Sequence, residues 1–236
     1  MSRRFETTRW SIVLAAQDGS ASSARRALAT FCEAYWEPLY AFTRRNGYNP
    51  EDAEDLTQGF FAQLLKKDYL ADVRPTAGKL RSFLLVSLKH FLANERDKTL
   101  ALKRGGGAQV ISLDVEAAES RYKVDAVDHL TPENVFERRW ALTVIAQVLS
   151  SLREEAAEAN GQRRFEVLKG FLIEGGPRTP YRQLAEELGI SQGAVKMAIH
   201  RLRHRFAKQL RREITEIVAT DSEVDAEIRH LLSVLG

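Results

Sequence analysis

Cysteine and histidine are scarce in this 236-residue sequence, which contains one cysteine, Cys32, and five histidines. One cysteine cannot form an internal disulfide, and it excludes a cysteine-rich zinc site. His200 and His204 are spaced by four residues, but no acidic residue lies near them in sequence to complete a metal site. We therefore expect no metal, no cofactor and a reducing compartment.

Long apolar runs are absent as well. No stretch approaches the roughly 18 apolar residues of a membrane-spanning helix. The basic start, MSRRFETTRW, is not followed by the apolar segment of a signal peptide. We expect a soluble, cytoplasmic protein without membrane contact. Hydrophobic residues make up 44% of the chain and charged residues 28%, which favours a packed core over disorder.

Catalytic motifs are missing too. The acidic residues of EDAED, residues 51–55, lack the ligand spacing and the glycine of a calcium loop. The glycines of KRGGGAQ, residues 103–109, are not followed by the Lys-Ser/Thr ending of a phosphate-binding loop. We therefore predict that the protein is not an enzyme and has no catalytic residues.

Basic and acidic residues are unevenly distributed, although the formal net charge is only +3. Residues 196–212, here named the basic tract, contain seven Lys or Arg and no acidic residue. Residues 213–236, here named the tail, contain six acidic residues and one Arg. Such segregation is typical of a surface that contacts nucleic-acid phosphates, whereas a solvated helix usually mixes signs.

Helical spacing of apolar residues dominates the chain, and the alternation of β-strands is scarce. The pattern predicts an all-α fold with two small helical domains, residues 1–104 and 131–212. A flexible linker, residues 105–130, joins them, because helical spacing weakens there after three glycines. We expect the tail to form a short amphipathic helix that packs on the second domain. Its acidic residues suggest the sharper hypothesis that it covers the basic tract and weakens DNA binding.

The stretch YRQLAEELGISQGAVKMAIHRLRHRF, residues 181–206, matches a helix-turn-helix. Gly189 tolerates the positive φ of a short turn, Ala185 is small where the helices meet, and Ser191 can cap the second helix. The alternative is an ordinary helical hairpin with a solvated basic face. If the stretch reads DNA, the expected contacts are Ser191, Gln192, Lys196, His200, Arg201 and Arg203. Gln192 and Lys196 would reach base edges, while Arg201, Arg203 and also Arg205 would contact phosphates or support the fold.

This stretch resembles the promoter −35-reading helix-turn-helix of bacterial RNA polymerase sigma factors of the extracytoplasmic-function class. FCEAYWEPLYAFTRRNGYNPEDAEDLTQGFFAQLL is similar to the first half of that family's polymerase-binding domain, and LRSFLLVSLKHFLANERDK to its −10 helix. The resemblance covers about residues 5–104 and 131–210. It implies binding to core RNA polymerase, through the β′ clamp and the β flap, and to duplex promoter DNA and the melted −10 strand. It also makes an anti-sigma protein a candidate partner.

Individual roles follow from the resemblance. Asp55 and Gln58 match the residues that dock on the clamp, although Gly59 replaces an acidic residue often found there. The implied −10 contacts are Tyr69, Arg74, Lys79, Lys89, His90, Asn94, Arg96 and Lys98. Three of these positions, Lys89, His90 and Asn94, depart from the family's frequent residues, which leaves the −10 preference open. The alternatives are a solvated helix start at residues 55–58 and a plain connector at residues 69–78.

A stand-alone helix-turn-helix transcriptional regulator is the main competing function. Such a protein needs a dimer interface or an effector pocket, and it does not require a polymerase-docking domain. It would therefore leave the first predicted domain without an explanation.

Overall fold

The computed structural model describes residues 23–64, 79–101, 118–122, 130–159, 161–172, 179–218 and 220–236. These residues are mostly helical, and no strand occurs among them, which confirms the predicted all-α class. The helices are α1 Ser23–Arg45, α2 Pro50–Leu64, α3 Leu80–Ala101, α4 Pro132–Glu158, α5 Gln162–Leu168, α6 Tyr181–Leu188, α7 Gln192–Thr215 and α8 Asp221–Ser233. A short 3-10 helix, Lys169–Leu172, follows α5.

Two predicted −10 contacts, Tyr69 and Arg74, lie outside the described residues, as does most of the predicted linker. Within the part of the chain that is described, no helix combines the length and the apolar character needed to span a membrane.

Packing divides the chain into two compact units. The first unit contains the described residues up to Thr143 together with Ile214–Gly236, and the second contains Val144–Glu213. The division falls within α4 and within α7, so each of these helices contributes residues to both units. These units differ from the predicted domains. The prediction placed the start of α4 in the second domain and treated the tail as a separate segment.

Aromatic side chains form the centre of the first unit. Trp36 of α1 stacks on Tyr40 and on Phe61 of α2, with ring centroids 6.1 Å and 6.2 Å away. Phe60 meets Phe91 of α3 edge to face. Such pairs add to the stabilisation from apolar burial, which holds α1, α2 and α3 together.

A helical segment at residues 118–122 also packs on α1. The Glu119 carboxylate accepts hydrogen bonds from the Tyr40 hydroxyl at 2.7 Å and from Arg44 at 2.9 Å. Arg44 lies over the Tyr122 ring, 4.8 Å from its centroid. Burial, together with the hydrogen bond to Glu119, raises the pKa of Tyr40. This part of the predicted linker is therefore folded, because the half-buried ion pair between Glu119 and Arg44 fixes it to α1.

The tail forms helix α8, with a capping box between Thr220 and Glu223. Val224 and Leu231 are buried on its inner side. The helix belongs to the first unit, where buried Glu227 pairs with Arg81 near the start of α3. His230 of α8 also meets Glu137 and Trp140 of α4, so the tail contacts residues that were predicted to belong to the second domain.

Candidate nucleic-acid interface

The turn between α6 and α7 is built by three consecutive residues. Gly189 ends α6 with φ +65° and ψ 32°, the left-handed conformation that glycine adopts most easily. The Ile190 N–H donates to the Ala185 carbonyl at 3.0 Å, which closes the end of α6. The Ser191 hydroxyl accepts the Ala194 N–H at 3.1 Å, so the predicted capping of α7 is confirmed.

Apolar residues fix the inner sides of both helices. Leu184 and Ala185 of α6 are buried, as are Val195, Ile199 and Leu202 of α7. Their spacing in α7 is four and then three, so they form one stripe. Because this stripe faces the core, the residues between its members must face outward.

The outer side of α7 carries the predicted −35 residues. Ser191, Gln192, Lys196, His200, Arg201 and Arg203 are all exposed. The Lys196 ammonium lies 5.6 Å from the centroid of the Tyr181 ring at the start of α6. The basic tract is therefore exposed at these positions, and the hypothesis that the tail covers it stays a prediction.

Two arginines of the basic tract have partners within the second unit. Arg203 donates through Nε to the Phe171 carbonyl at 2.9 Å. Arg205 forms an ion pair with Glu155 at 2.5 Å. Arg203 thus supports the fold, which was the expected alternative to phosphate contact. Lys196, His200 and Arg201 take part in none of the ion pairs formed by the described residues of this unit.

A groove of about 340 Å³ opens in the second unit between the end of α4, α5 and α7. Its apolar lining includes Ala156, Phe165, Leu168, Ile190, Ala198 and Leu202. The side chains of Arg164, Arg201 and Arg205 line it as well. The groove can therefore hold an apolar side chain of a partner, and its three arginines can pair with acidic or polar groups of that partner beside it.

The two predicted clamp-docking residues occupy different environments in the first unit. Asp55 is exposed, but Gln58 is only 7% exposed and donates its amide to the Glu54 carboxylate at 3.0 Å. A cleft of about 410 Å³ is lined by Asp55 together with Glu95 and Arg96 of α3. Asp55 and Arg96, one of the predicted −10 residues, therefore line the same cleft.

Gly59 has a structural explanation. A Cβ atom at this position would lie 3.3 Å from the Phe91 ring of α3, closer than ordinary contact. The helix pair α2–α3 thus leaves little space for a side chain here. A larger acidic side chain, frequent in the resembled family, would press on Phe91.

The remaining predicted −10 residues of α3 lie at its surface. Lys89, His90, Asn94, Arg96 and Lys98 are exposed. Lys89 pairs with Glu133 at 2.7 Å, and this hydrogen bond is the main reason why the pKa of Glu133 lies below its ordinary value. Lys98 pairs with Glu95 one turn earlier, also at 2.7 Å.

A cluster near the start of α3 was missed by sequence reasoning. Glu227 of α8 contacts Lys79 at 2.6 Å and Arg81 at 2.5 Å. Glu137 of α4 also pairs with Arg81, and it lies 2.9 Å from His230. Arg81 and Glu227 are separated by 146 positions, and no local pattern indicates such a pair.

Among the described residues, no group of three or more His, Cys, Asp or Glu side chains is arranged to hold a metal ion.

No protein-family model, curated protein or solved structure matches this chain. The function is therefore inferred from the chain's own residues.

Proposed function

We propose that this protein is a bacterial sigma factor of the extracytoplasmic-function class. It binds core RNA polymerase in the cytoplasm and directs it to promoters through their −35 and −10 elements. The observation that carries the proposal is the helix pair α6–α7, with its left-handed Gly189 turn, buried inner stripe and exposed basic outer side. In this proposal the pair is a helix-turn-helix, and α7 enters the major groove at the −35 element.

The proposed DNA contacts of α7 are of two kinds, and the position of a residue along the helix decides which kind it makes. Gln192 and Lys196 lie in the first turns, which reach base edges in this type of docking. His200 and Arg201 follow and are suited to phosphates, which position the protein without reading sequence. Arg203 supports the fold through the Phe171 carbonyl.

The first unit is proposed to dock on the β′ clamp and to meet the −10 element. Asp55 is an exposed acidic residue of the cleft that Asp52, Glu95 and Arg96 also line. A carboxylate there can pair with a basic side chain of the clamp. The exposed polar side of α3, from Lys89 to Lys98, is the proposed −10 surface.

The apolar groove of the second unit is proposed to hold the tip of the β flap. It lies in the helical region between residues 136 and 173 and at α7, and its lining is apolar. A partner that inserts one apolar side chain there would bury it against Phe165 and Leu168. An anti-sigma protein is a competing occupant of the same surfaces.

Promoter opening in this proposal needs no catalytic residue. Binding energy shifts the polymerase–promoter complex toward a melted state, in which protein groups contact the unpaired bases. The exposed basic side chains of α3 and α7 supply the charge for both forms of DNA.

The proposal is tested by size-exclusion chromatography of the full chain with bacterial core RNA polymerase. We expect co-elution, and we expect Asp55→Ala to weaken it. Glu51→Ala is the matched control, because Glu51 is an exposed acidic residue of the same helix outside the cleft. Absence of co-elution, combined with specific duplex binding by the protein alone, would favour the stand-alone regulator.

A further inference from the structure

Glu227 of the tail helix α8 is buried, with 1% of its surface exposed. One carboxylate oxygen lies 2.5 Å from Arg81 Nε, and the other lies 2.6 Å from Lys79 Nζ. A carboxylate removed from water must be paired to be tolerated, and here it has two cationic partners. Burial alone would raise the pKa of Glu227, but the hydrogen bonds from Arg81 and Lys79 outweigh burial and lower it.

The two cations differ in what they can reach. Arg81 is 6% exposed, lies over the Trp140 ring at 4.9 Å and pairs with Glu137, so it is part of the packed interior. The Lys79 side chain is 30% exposed and immediately precedes α3. An ammonium group has three N–H donors, so Lys79 can bind Glu227 and still donate to an anion from the solvent side.

We propose that Glu227 is a positioning residue for the −10 strand: it holds the Lys79 ammonium at the start of α3, where it meets a phosphate. This inference rests on the proposed sigma function. Glu137 holds Arg81, Arg81 holds Glu227, and Glu227 in turn fixes Lys79. A lysine that is already held loses less rotamer freedom when it binds phosphate, so the contact is stronger than one from a mobile lysine.

The test measures how holoenzyme binds single-stranded DNA. Promoters are first mapped with wild-type holoenzyme, and the probe is a fluorescent oligonucleotide carrying the mapped non-template −10 strand. The variants are Glu227→Gln, Lys79→Ala and the double variant, with Asp225→Asn as the control for charge loss on an exposed part of α8. Glu137 still pairs with Arg81 in Glu227→Gln, which limits damage to the fold.

We expect Glu227→Gln and Lys79→Ala each to weaken strand binding by about fivefold, and the double variant to bind no more weakly than Lys79→Ala alone. Lys79→Arg should restore most of the affinity, because it keeps the charge. Core polymerase binding and −35 duplex binding should be unchanged. A residue that only stabilises the fold would instead add its own loss to that of Lys79→Ala.

Three results would overturn the inference: additive losses in the double variant, tighter strand binding by Glu227→Gln, or unchanged binding by Lys79→Ala. Unchanged strand binding by Lys79→Ala would overturn the inference even if Glu227→Gln fails to fold. Failure of wild-type protein to bind core polymerase would reject the proposed function itself, and the inference with it. If the wild-type protein binds core polymerase but Lys79→Ala leaves strand binding unchanged, the inference is rejected and the proposed function is not.

Discussion

The Lys196 ammonium lies 5.6 Å from the centre of the Tyr181 ring, across the turn that joins α6 to α7. Tyr181 also lies against Phe171, with ring centroids 6.3 Å apart. The lysine proposed to enter the major groove is therefore oriented by an aromatic side chain from the preceding helix. Cation–π contacts at exposed sites contribute about 0.5–1 kcal/mol.

Lys196→Ala should weaken binding to the promoter duplex and should reduce its preference over an unrelated duplex, because a base-edge contact is lost. Fluorescence anisotropy with both duplexes at one salt concentration measures the two affinities. Lys169→Ala is the control, since Lys169 pairs with Glu166 outside the helix pair. An unchanged preference in Lys196→Ala would place Lys196 away from the base edges.

Tyr181→Ala should weaken duplex binding by about threefold, a change that corresponds to the cation–π contact alone. Tyr181→Phe keeps the ring and should bind as the wild type does. The same anisotropy titration distinguishes the two variants. If Tyr181→Phe and Tyr181→Ala weaken duplex binding equally, the Tyr181 hydroxyl contributes to binding and the ring contact with Lys196 does not.

Gly189→Ala should destabilise the second unit by about 1–2 kcal/mol, because an L side chain is strained at φ +65°. The matched control is Gly193→Ala. Gly193 lies inside α7, where an added Cβ meets only Ser191 Oγ at 3.9 Å, so this change should stabilise by about 0.5–1 kcal/mol. Urea unfolding followed by circular dichroism measures both. Equal effects of the two substitutions would contradict the left-handed turn.

Acid should remove the stabilisation that Glu227 provides. Its pKa is lowered in the folded state from the ordinary value of 4.5, so the unfolded chain takes up this proton more readily. The contribution is therefore fully present above pH 4.5 and is lost as the pH falls through the lower, folded-state pKa. Lys79 and Arg81 are the basic side chains that face this carboxylate.

Glu227→Gln should be less stable than the wild type by about 2 kcal/mol at neutral pH, because hydrogen bonds to a charged group are lost. The difference should shrink as the pH falls below 4.5. Urea unfolding at several pH values measures it. A difference that is constant down to strongly acidic pH would show that the Glu227 charge does not stabilise the fold.

Features set by neighbouring residues could be predicted from the sequence. Pro50 begins α2, and Asn49 caps it by accepting the Asp52 N–H at 2.8 Å. Gly189 and Ser191 form the turn and cap that were expected. Local spacing and cap chemistry specify such features, because the partners lie within one helical turn.

Features set by distant pairs could not be predicted. Glu119 meets Arg44 across 75 positions, and Glu227 meets Arg81 across 146. Periodicity tells which side of a helix is apolar, but it does not name the element that covers that side. The pairing of the tail with the start of α3 was therefore not predicted, and residues 118–122 were expected to belong to a flexible linker.

The most direct test of the sigma function is in vitro transcription with core RNA polymerase and fragmented genomic DNA of the source organism, with mapping of RNA 5′ ends. We expect transcription start sites that appear only when the protein is added and that share a −35 and a −10 element upstream. Those starts should be lost with Lys196→Ala and retained with Lys169→Ala. Absence of protein-dependent starts, in a reaction where a known sigma factor is active, would contradict the account.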